Sequence, residues 1–242
     1  MLDIRRALEY PSADPKAGEK IGLGAVVLLA PVLNLAALGY QVEVARRVAA
    51  NDPRPLPEWN ELGRLWVQGA RLGLAYFIYS LPSLIIVLGA MAAVFVGLIV
   101  SVQSEPVQSG AAPAAPPPGV VVIFLLLVAA AVVYNLLFSL LRSAVLVEYA
   151  RWGSVQACFD FAAMLRFIRQ NLGEYLKLWL AELLLSWLAG LLMIFLVLAL
   201  GLLPFIGPLL LALVAGGAAF FQQIVSGHLV GQMTSSRPQS VL

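Results

Sequence analysis

Asn34, Ser139 and Gln222 are polar side chains set inside long apolar runs. Each stands nine positions before a matched point near a helix end: Glu43, Glu148 and Gly231. Polar groups within a lipid-embedded segment are functional candidates, because hydrocarbon offers them no partner. Their matched spacing would set them at one depth, as a polar layer where three hairpins meet. Such a layer either lines a solute path or hydrogen-bonds helix to helix, and the second is the simpler chemistry, worth about 0.6 kcal/mol per contact. Glu182 is the only carboxylate well inside an apolar run, and Lys177 or Arg142 is its expected partner. His228 is the only histidine and Cys158 the only cysteine. One imidazole builds no zinc site, and one thiol without a nearby base builds neither a disulfide nor an activated nucleophile. No Gly-rich phosphate loop, Gly-x-Ser-x-Gly or His-Glu-x-x-His is present. No catalytic residue, cofactor or metal is therefore expected.

The elements that must position these groups are membrane segments. The chain has 242 residues, 61% hydrophobic and 12% charged, with mean hydropathy +0.91. A soluble domain is about a quarter charged, so lipid must solvate part of this one. A net charge of +2, with basic residues scattered at segment ends, argues against nucleic acid as a partner. The first twenty residues balance Arg5, Arg6, Lys16 and Lys20 against Asp3, Glu9, Asp14 and Glu19. A signal peptide would begin clearly positive, so none is expected. Richness in Ala, Leu, Val, Arg and Pro suggests a prokaryotic source.

Four stretches, 72–102, 120–142, 175–202 and 205–230, are long enough to cross a bilayer, which takes roughly 20 apolar residues. Pro82 predicts a kink in the first. A fifth stretch, 21–42, is interrupted by "APVLNLA". The Pro/Ala/Ser segment 103–119 reads as an extended external loop, and 201–208 as a tight turn. Both lack Lys and Arg, whereas all fifteen basic residues lie before residue 21, within 46–71 and 142–177, and at Arg237. Positive loops stay in the cytoplasm. If 21–42 crosses once, four basic residues fall outside. If it is a short re-entrant hairpin turning at Pro31–Asn34, none do. The charge count favours the hairpin over one kinked spanning helix.

A quasi-repeat agrees. "VEVAR" at 42–46 recurs as "VEYAR" at 147–151, and "GHLVGQ" at 227–232 fits the same frame. Glu43 with Arg46, and Glu148 with Arg151, are spaced three apart and are expected to pair at the membrane edge. Short amphipathic segments precede each hairpin: 2–9 (Leu2, Ile4, Leu8), 57–71 (Trp59, Leu62, Trp66) and 154–173 (Phe161, Leu165, Ile168, Leu172). In "RPLPEW", the prolines end the preceding helix and Pro57 suits the first turn of the next. Trp59 and Trp66 share a face and are expected to anchor it at the bilayer interface. Gly216–Gly217 with Ala218–Ala219, and Gly89 with Ala92, Ala93 and Gly97, would let helices approach closely.

"GYQVEVARRV", "PLPEW" and "GARLGLAYFIYSLP" together resemble the prokaryotic membrane family known as domain of unknown function 4013. There a Gly-Tyr helix end, a Leu-Pro-x-Trp-type connector and a Gly-rich helix entrance recur. The resemblance implies a multi-pass membrane protein and brings no activity, cofactor or catalytic residue. The expected fold is all-α: four long transmembrane helices, an N-terminal short or re-entrant hairpin, and cytoplasmic-side interfacial helices. It forms one integral membrane domain, with units 1–50, 51–151 and 152–232 and a flexible tail 233–242. The expected role is a non-catalytic scaffold or interaction protein in the cell membrane, with both termini cytoplasmic. Its expected partners are membrane lipids and a homo-oligomer or another membrane protein. The alternative is a transporter, channel or lipid-handling protein, since repeats and broken helices mark transporters.

Overall fold

The computed structural model describes residues 2–52, 56–103, 117–201, 203–204 and 206–235. Among them every regular element is helical: α1 (Ile4–Glu9), α2 (Ala17–Leu29), α3 (Asn34–Ala49), α4 (Leu62–Gln103), α5 (Pro118–Trp152), α6 (Phe161–Gln170), α7 (Leu172–Leu200) and α8 (Ile206–Ser235). Four helices are long and apolar enough to cross a membrane: α4 with its leading turn, α5, α7 and α8. The core of the expected linker (104–116), the end of the tail (236–242) and Pro53, Arg54 and Pro55 of the connector lie outside the described residues.

The stretch 21–42 does break where its sequence breaks. Helix α2 stops at Leu29 and α3 starts at Asn34. Pro31 in the turn has no N–H to extend a helix. The two arms run 13 and 16 residues, about 20 and 24 Å at helical rise, short of a hydrocarbon core of about 30 Å. Asn34 thus opens a helix.

The connector departs from expectation. Residues 57–71 do not form a separate surface helix that turns down at Leu72. A 3₁₀ turn at Trp59–Glu61 feeds directly into α4, which continues unbroken for 42 residues, through Pro82. Nothing at Leu72 interrupts the ladder: Gly69 and Gly73 are helix-compatible, and Leu65, Leu72 and Ala75 are buried on one face. Helix α5 likewise runs ten residues beyond its expected end at 142, and the first eight of them, 143–150, are buried.

The chain divides into two compact units, residues 1–75 with 141–242, and residues 76–140. In the smaller unit, the ends of α4 and α5 lie side by side. Tyr79 stacks on Phe138 with centroids 5.7 Å apart, and Asn135 Nδ2 donates to Ser83 Oγ at 2.8 Å. Gly89 meets only Leu127 at ordinary contact distance, so its small face does not draw the backbones together there.

In the larger unit, α3 is held from two sides. It packs on α8, which also carries α2 and α7. Ala36, Ala37, Tyr40, Val44, Leu56, Leu65, Phe220 and Ile224 form the core. Tyr40 stacks on Trp59 at 4.7 Å and meets Phe220 edge-on at 5.0 Å. The helices touch through backbone. A methyl group on Gly39 would lie 1.8 Å from the Leu65 carbonyl oxygen, and one on Gly69 would lie 1.6 Å from that of Leu35. On the other side of α3, methyl groups on Gly227 and Gly231 would lie 2.7 and 2.6 Å from the carbonyls of Gln41 and Ala45.

Two of the amphipathic segments, α1 and α6, carry exposed apolar side chains on one face. In α1, Ala7 is buried while Ile4 and Leu8 are exposed; in α6, Met164 and Phe167 are buried while Phe161, Leu165 and the following Leu172 are exposed. The apolar stripe read from the sequence of 154–173 is therefore the outer face, and a second apolar pair makes the inner one.

Because overpacking at a tight contact costs about 1–3 kcal/mol or more, Gly39→Ala and Gly69→Ala should each lower the melting temperature in detergent by about 4–10 °C. Gly63→Ala and Gly190→Ala, which meet nothing within 4 Å, should leave it unchanged or slightly raised.

Candidate functional site: a polar network among buried helices

Three polar clusters occupy the larger unit. The first holds the connector. Lys20 and Asp14, 5% and 7% exposed at their side chains, pair at 2.8 Å, and Glu58 reaches the same ammonium at 2.7 Å. Lys20 Nζ also donates to the Leu56 carbonyl at 3.1 Å, where Arg47 Nη1 joins it at 3.4 Å. Tyr40 Oη donates to the Pro57 carbonyl at 2.9 Å, and Trp59 Nε1 to that of Lys20 at 3.1 Å. A segment with prolines cannot satisfy its own carbonyls in a helix, so side chains of α2 and α3 do it. Burial works against the charge of Asp14, but hydrogen bonds from Lys20 and from the Lys16 backbone outweigh it, and the carboxyl stays below its ordinary value of 3.8. Burial likewise opposes Lys20, and the bonds to Asp14 and Glu58 prevail, raising it. Trp59 and Trp66 take packing roles here. Both flank the aromatic core, and Trp66 Nε1 donates to the Val32 carbonyl at 2.7 Å. Their indoles thereby fasten α4 to both ends of the N-terminal hairpin.

The second cluster lies at the paired helix ends. Glu148 and Arg151 pair as their spacing suggests, at 3.5 Å. Glu43 and Arg46 do not. Glu43 instead contacts Arg47 at 3.4 Å and Arg64 at 3.1 Å. Arg46 Nε donates to the Ala150 carbonyl at 3.0 Å, capping the end of α5, where a cation meets the negative end of the helix dipole. The first repeat's arginine therefore closes the second repeat's helix. Gly153 follows with φ +65°, and its N–H returns to the Tyr149 carbonyl at 2.8 Å. This is the glycine C-cap geometry.

The third cluster joins α3, α5, α7 and α8. Ser143 Oγ donates to Glu182 Oε2 at 2.7 Å, and Ser226 Oγ donates to Glu182 Oε1. Gln41 Nε2 donates to Ser226 Oγ at 3.0 Å. Gln41 and Ser143 are 2% and 3% exposed, and Gln41 Oε1 is buried with no hydrogen-bond partner. Glu182 is thus held by two hydroxyls. Lys177, one of the two partners expected for it, is 3.2 Å from Glu174 one turn earlier.

The three residues of the expected polar layer each have a placed side chain or helix position. Gln222 Nε2 donates to Ser186 Oγ, one turn along α7 from Glu182. Ser139 donates to the Leu136 carbonyl of its own helix in the smaller unit, and Asn34 sits at the start of α3.

The model of the family described as protein of unknown function (DUF4013) matches residues 22–198. The chain belongs to this family. No curated protein and no solved structure matches it. The matched region contains the N-terminal hairpin, the connector and Glu182, and it ends before α8, which supplies Ser226. In this member of the family, α8 also bears His228, buried, with Nδ1 3.0 Å from the Gln232 amide nitrogen and its ring 4.4 Å from that of Tyr10. Cys158 is fully buried, and burial pushes its thiol up to about 11, so it is protonated at neutral pH.

The sequence did signal part of this. Glu182 stands out as the lone carboxylate in its run. Gln41 and Ser143 gave no signal of this role, because neither stands out by charge or spacing from the residues around it. Lys20 and Asp14 read as terminal charges, and only tertiary folding buries them.

Removing one partner of a buried ion pair costs about 3–5 kcal/mol, so Lys20→Met should destabilise by that amount at pH 7. The lowered Asp14 value contributes stability above its unfolded value of 3.8, and this is lost as pH falls through the lower folded value. The raised Lys20 value contributes below 10.5 and is lost as pH rises through the higher folded value. Thermal unfolding across pH should therefore show a wild-type advantage that is flat between about pH 5 and 10 and shrinks on both sides.

Proposed function

We propose that this protein is a non-catalytic membrane scaffold in the cell membrane, with its termini and basic segments in the cytoplasm, binding lipid and other transmembrane helices. The observation that carries the reading is the bareness of its long helices. In the most apolar 18-residue windows of α5 and α7, 6% and 0% of residues are buried within the chain. On α7, Trp187, Leu188, Phe195 and Leu198 are all 65–69% exposed. A face this large needs lipid or protein cover, while the polar side chains of the larger unit bind connectors and helix ends. The outward apolar stripes of α1 and α6 add surfaces suited to lying on the headgroup layer.

The placement of every basic residue outside the two uncharged turns supports the orientation. The lone, buried Cys158 makes it testable. With Cys158→Ser, single cysteines at Ser12, Ser109 and Ser235 are treated in intact cells with an impermeant thiol reagent. Only position 109 should label. Labelling at position 12 or 235 would reverse the orientation of that end.

The scaffold reading expects a defined protein partner, or a second copy, retained with the chain when it is extracted in mild detergent and cross-linked first in native membranes. Recovery as a lipid-bound monomer, together with solute flux in reconstituted vesicles, would replace it with transport. The Glu182 network is the one observation that favours that second reading.

A further inference from the structure

The polar network around Glu182 contains more oxygen than its hydrogen bonds use. Glu182 lies ten residues into α7, one of the membrane-length helices. Among the described residues no Lys, Arg or His makes an ion pair with it. A carboxylate in such a segment requires a compensating charge or a proton, because isolated charge is costly in hydrocarbon. Two hydroxyls meet it, from Ser143 and Ser226, the Gln41 amide stands next to the Ser226 hydroxyl, and the amide oxygen, Gln41 Oε1, is buried and without a partner. That atom is bonded to the same carbon as Nε2, which lies 3.0 Å from Ser226 Oγ. Half a turn of the amide exchanges the two and brings Oε1 to the Ser226 hydroxyl.

We propose that Gln41 Oε1, Ser143 Oγ, Glu182 and Ser226 Oγ form a binding site for one sodium ion. The ligand set is oxygen alone, the chemistry that hard cations take. One carboxylate balances one positive charge, so a monovalent ion leaves the site neutral within the bilayer, whereas a divalent ion leaves an excess charge. Each serine hydroxyl donates to Glu182 in the ion-free arrangement. By rotating about its C–O bond it turns a lone pair inward, so no backbone movement is needed. The four side chains come from α3, α5, α7 and α8, so the ion would tie the N-terminal hairpin to the three long helices. This inference is independent of the scaffold reading: a structural ion suits a scaffold, and an exchangeable one suits transport.

The test is sodium-dependent stability of the purified full chain in detergent, with choline chloride replacing sodium chloride at constant ionic strength and pH. A ligand present at ten times its dissociation constant should raise the melting temperature by about 3–6 °C. Glu182→Gln should abolish the shift. Gln41→Leu and Ser226→Ala, which keep the carboxylate, should each raise the half-effect sodium concentration about tenfold or more, and these two decide the matter if Glu182→Gln does not fold. Asn135→Ala, in the smaller unit, should retain the full shift. Equilibrium binding of radioactive sodium should saturate at one ion per chain. Equal melting in sodium and choline, or a shift of the same size in all the variants, would overturn the proposal.

Discussion

Helix α3 meets its neighbours at backbone distance as well as through side chains, and its packing in the larger unit depends on that close approach. Carbonyl oxygens of Leu35 and Leu65 occupy the space a Cβ would take at Gly69 and Gly39. Those of Gln41 and Ala45 do so at Gly227 and Gly231. Lipid tails are as apolar as leucine, so helices in a bilayer gain little from hiding apolar surface from one another. Close packing and interhelical hydrogen bonds must hold them instead. A short helix with glycine contacts on two sides gains both, because backbones that close also bring side-chain donors within reach of distant carbonyls. The bonds from Tyr40 to Pro57 and from Arg46 to Ala150 are of this kind.

The same constraint explains the elaborate connector. A chain leaving α3 must reverse direction beside a helix already crowded by its partners. Residues 56–58 of the connector are in non-repetitive conformation, with carbonyls that no ladder satisfies. Lys20, Arg47 and Tyr40 take up those carbonyls, and Trp59 fills the space between Tyr40 and Phe220. Indoles that belong at a bilayer interface by residue type are here recruited inward, because their N–H groups find the ends of the N-terminal hairpin.

Much of the architecture was legible. The helical membrane class, the four long helices and the break at Pro31–Asn34 all follow from run length and from a proline without an N–H. Helix ends were less legible. The sequence of 57–71 has the period of a helix and so does that of 72–102. Nothing in either tells whether the axis turns between them, and in the structure it forms one ladder. The pairing of Glu148 with Arg151 was predictable from spacing of three, and the same spacing misassigned Arg46, because a vacant set of carbonyls at the end of α5 competes for its guanidinium. Glu182 was visible as an oddity, but its serine and glutamine partners come from three other helices and had no sequence signal.

The account depends most on α2 lying against α8, with the N-terminal hairpin folded into the larger unit. A methyl group on Gly217 would lie 4.0 Å from the Ala25 Cβ, within the Cβ separation of about 3.5–4.5 Å that a disulfide needs. The decisive measurement is oxidative cross-linking in native membranes of a chain carrying Ala25→Cys and Gly217→Cys with Cys158→Ser. The account predicts a rapid disulfide within one chain, seen as intact thiol loss without a dimer band. Free thiols after oxidation, or cross-links only between chains, would contradict it.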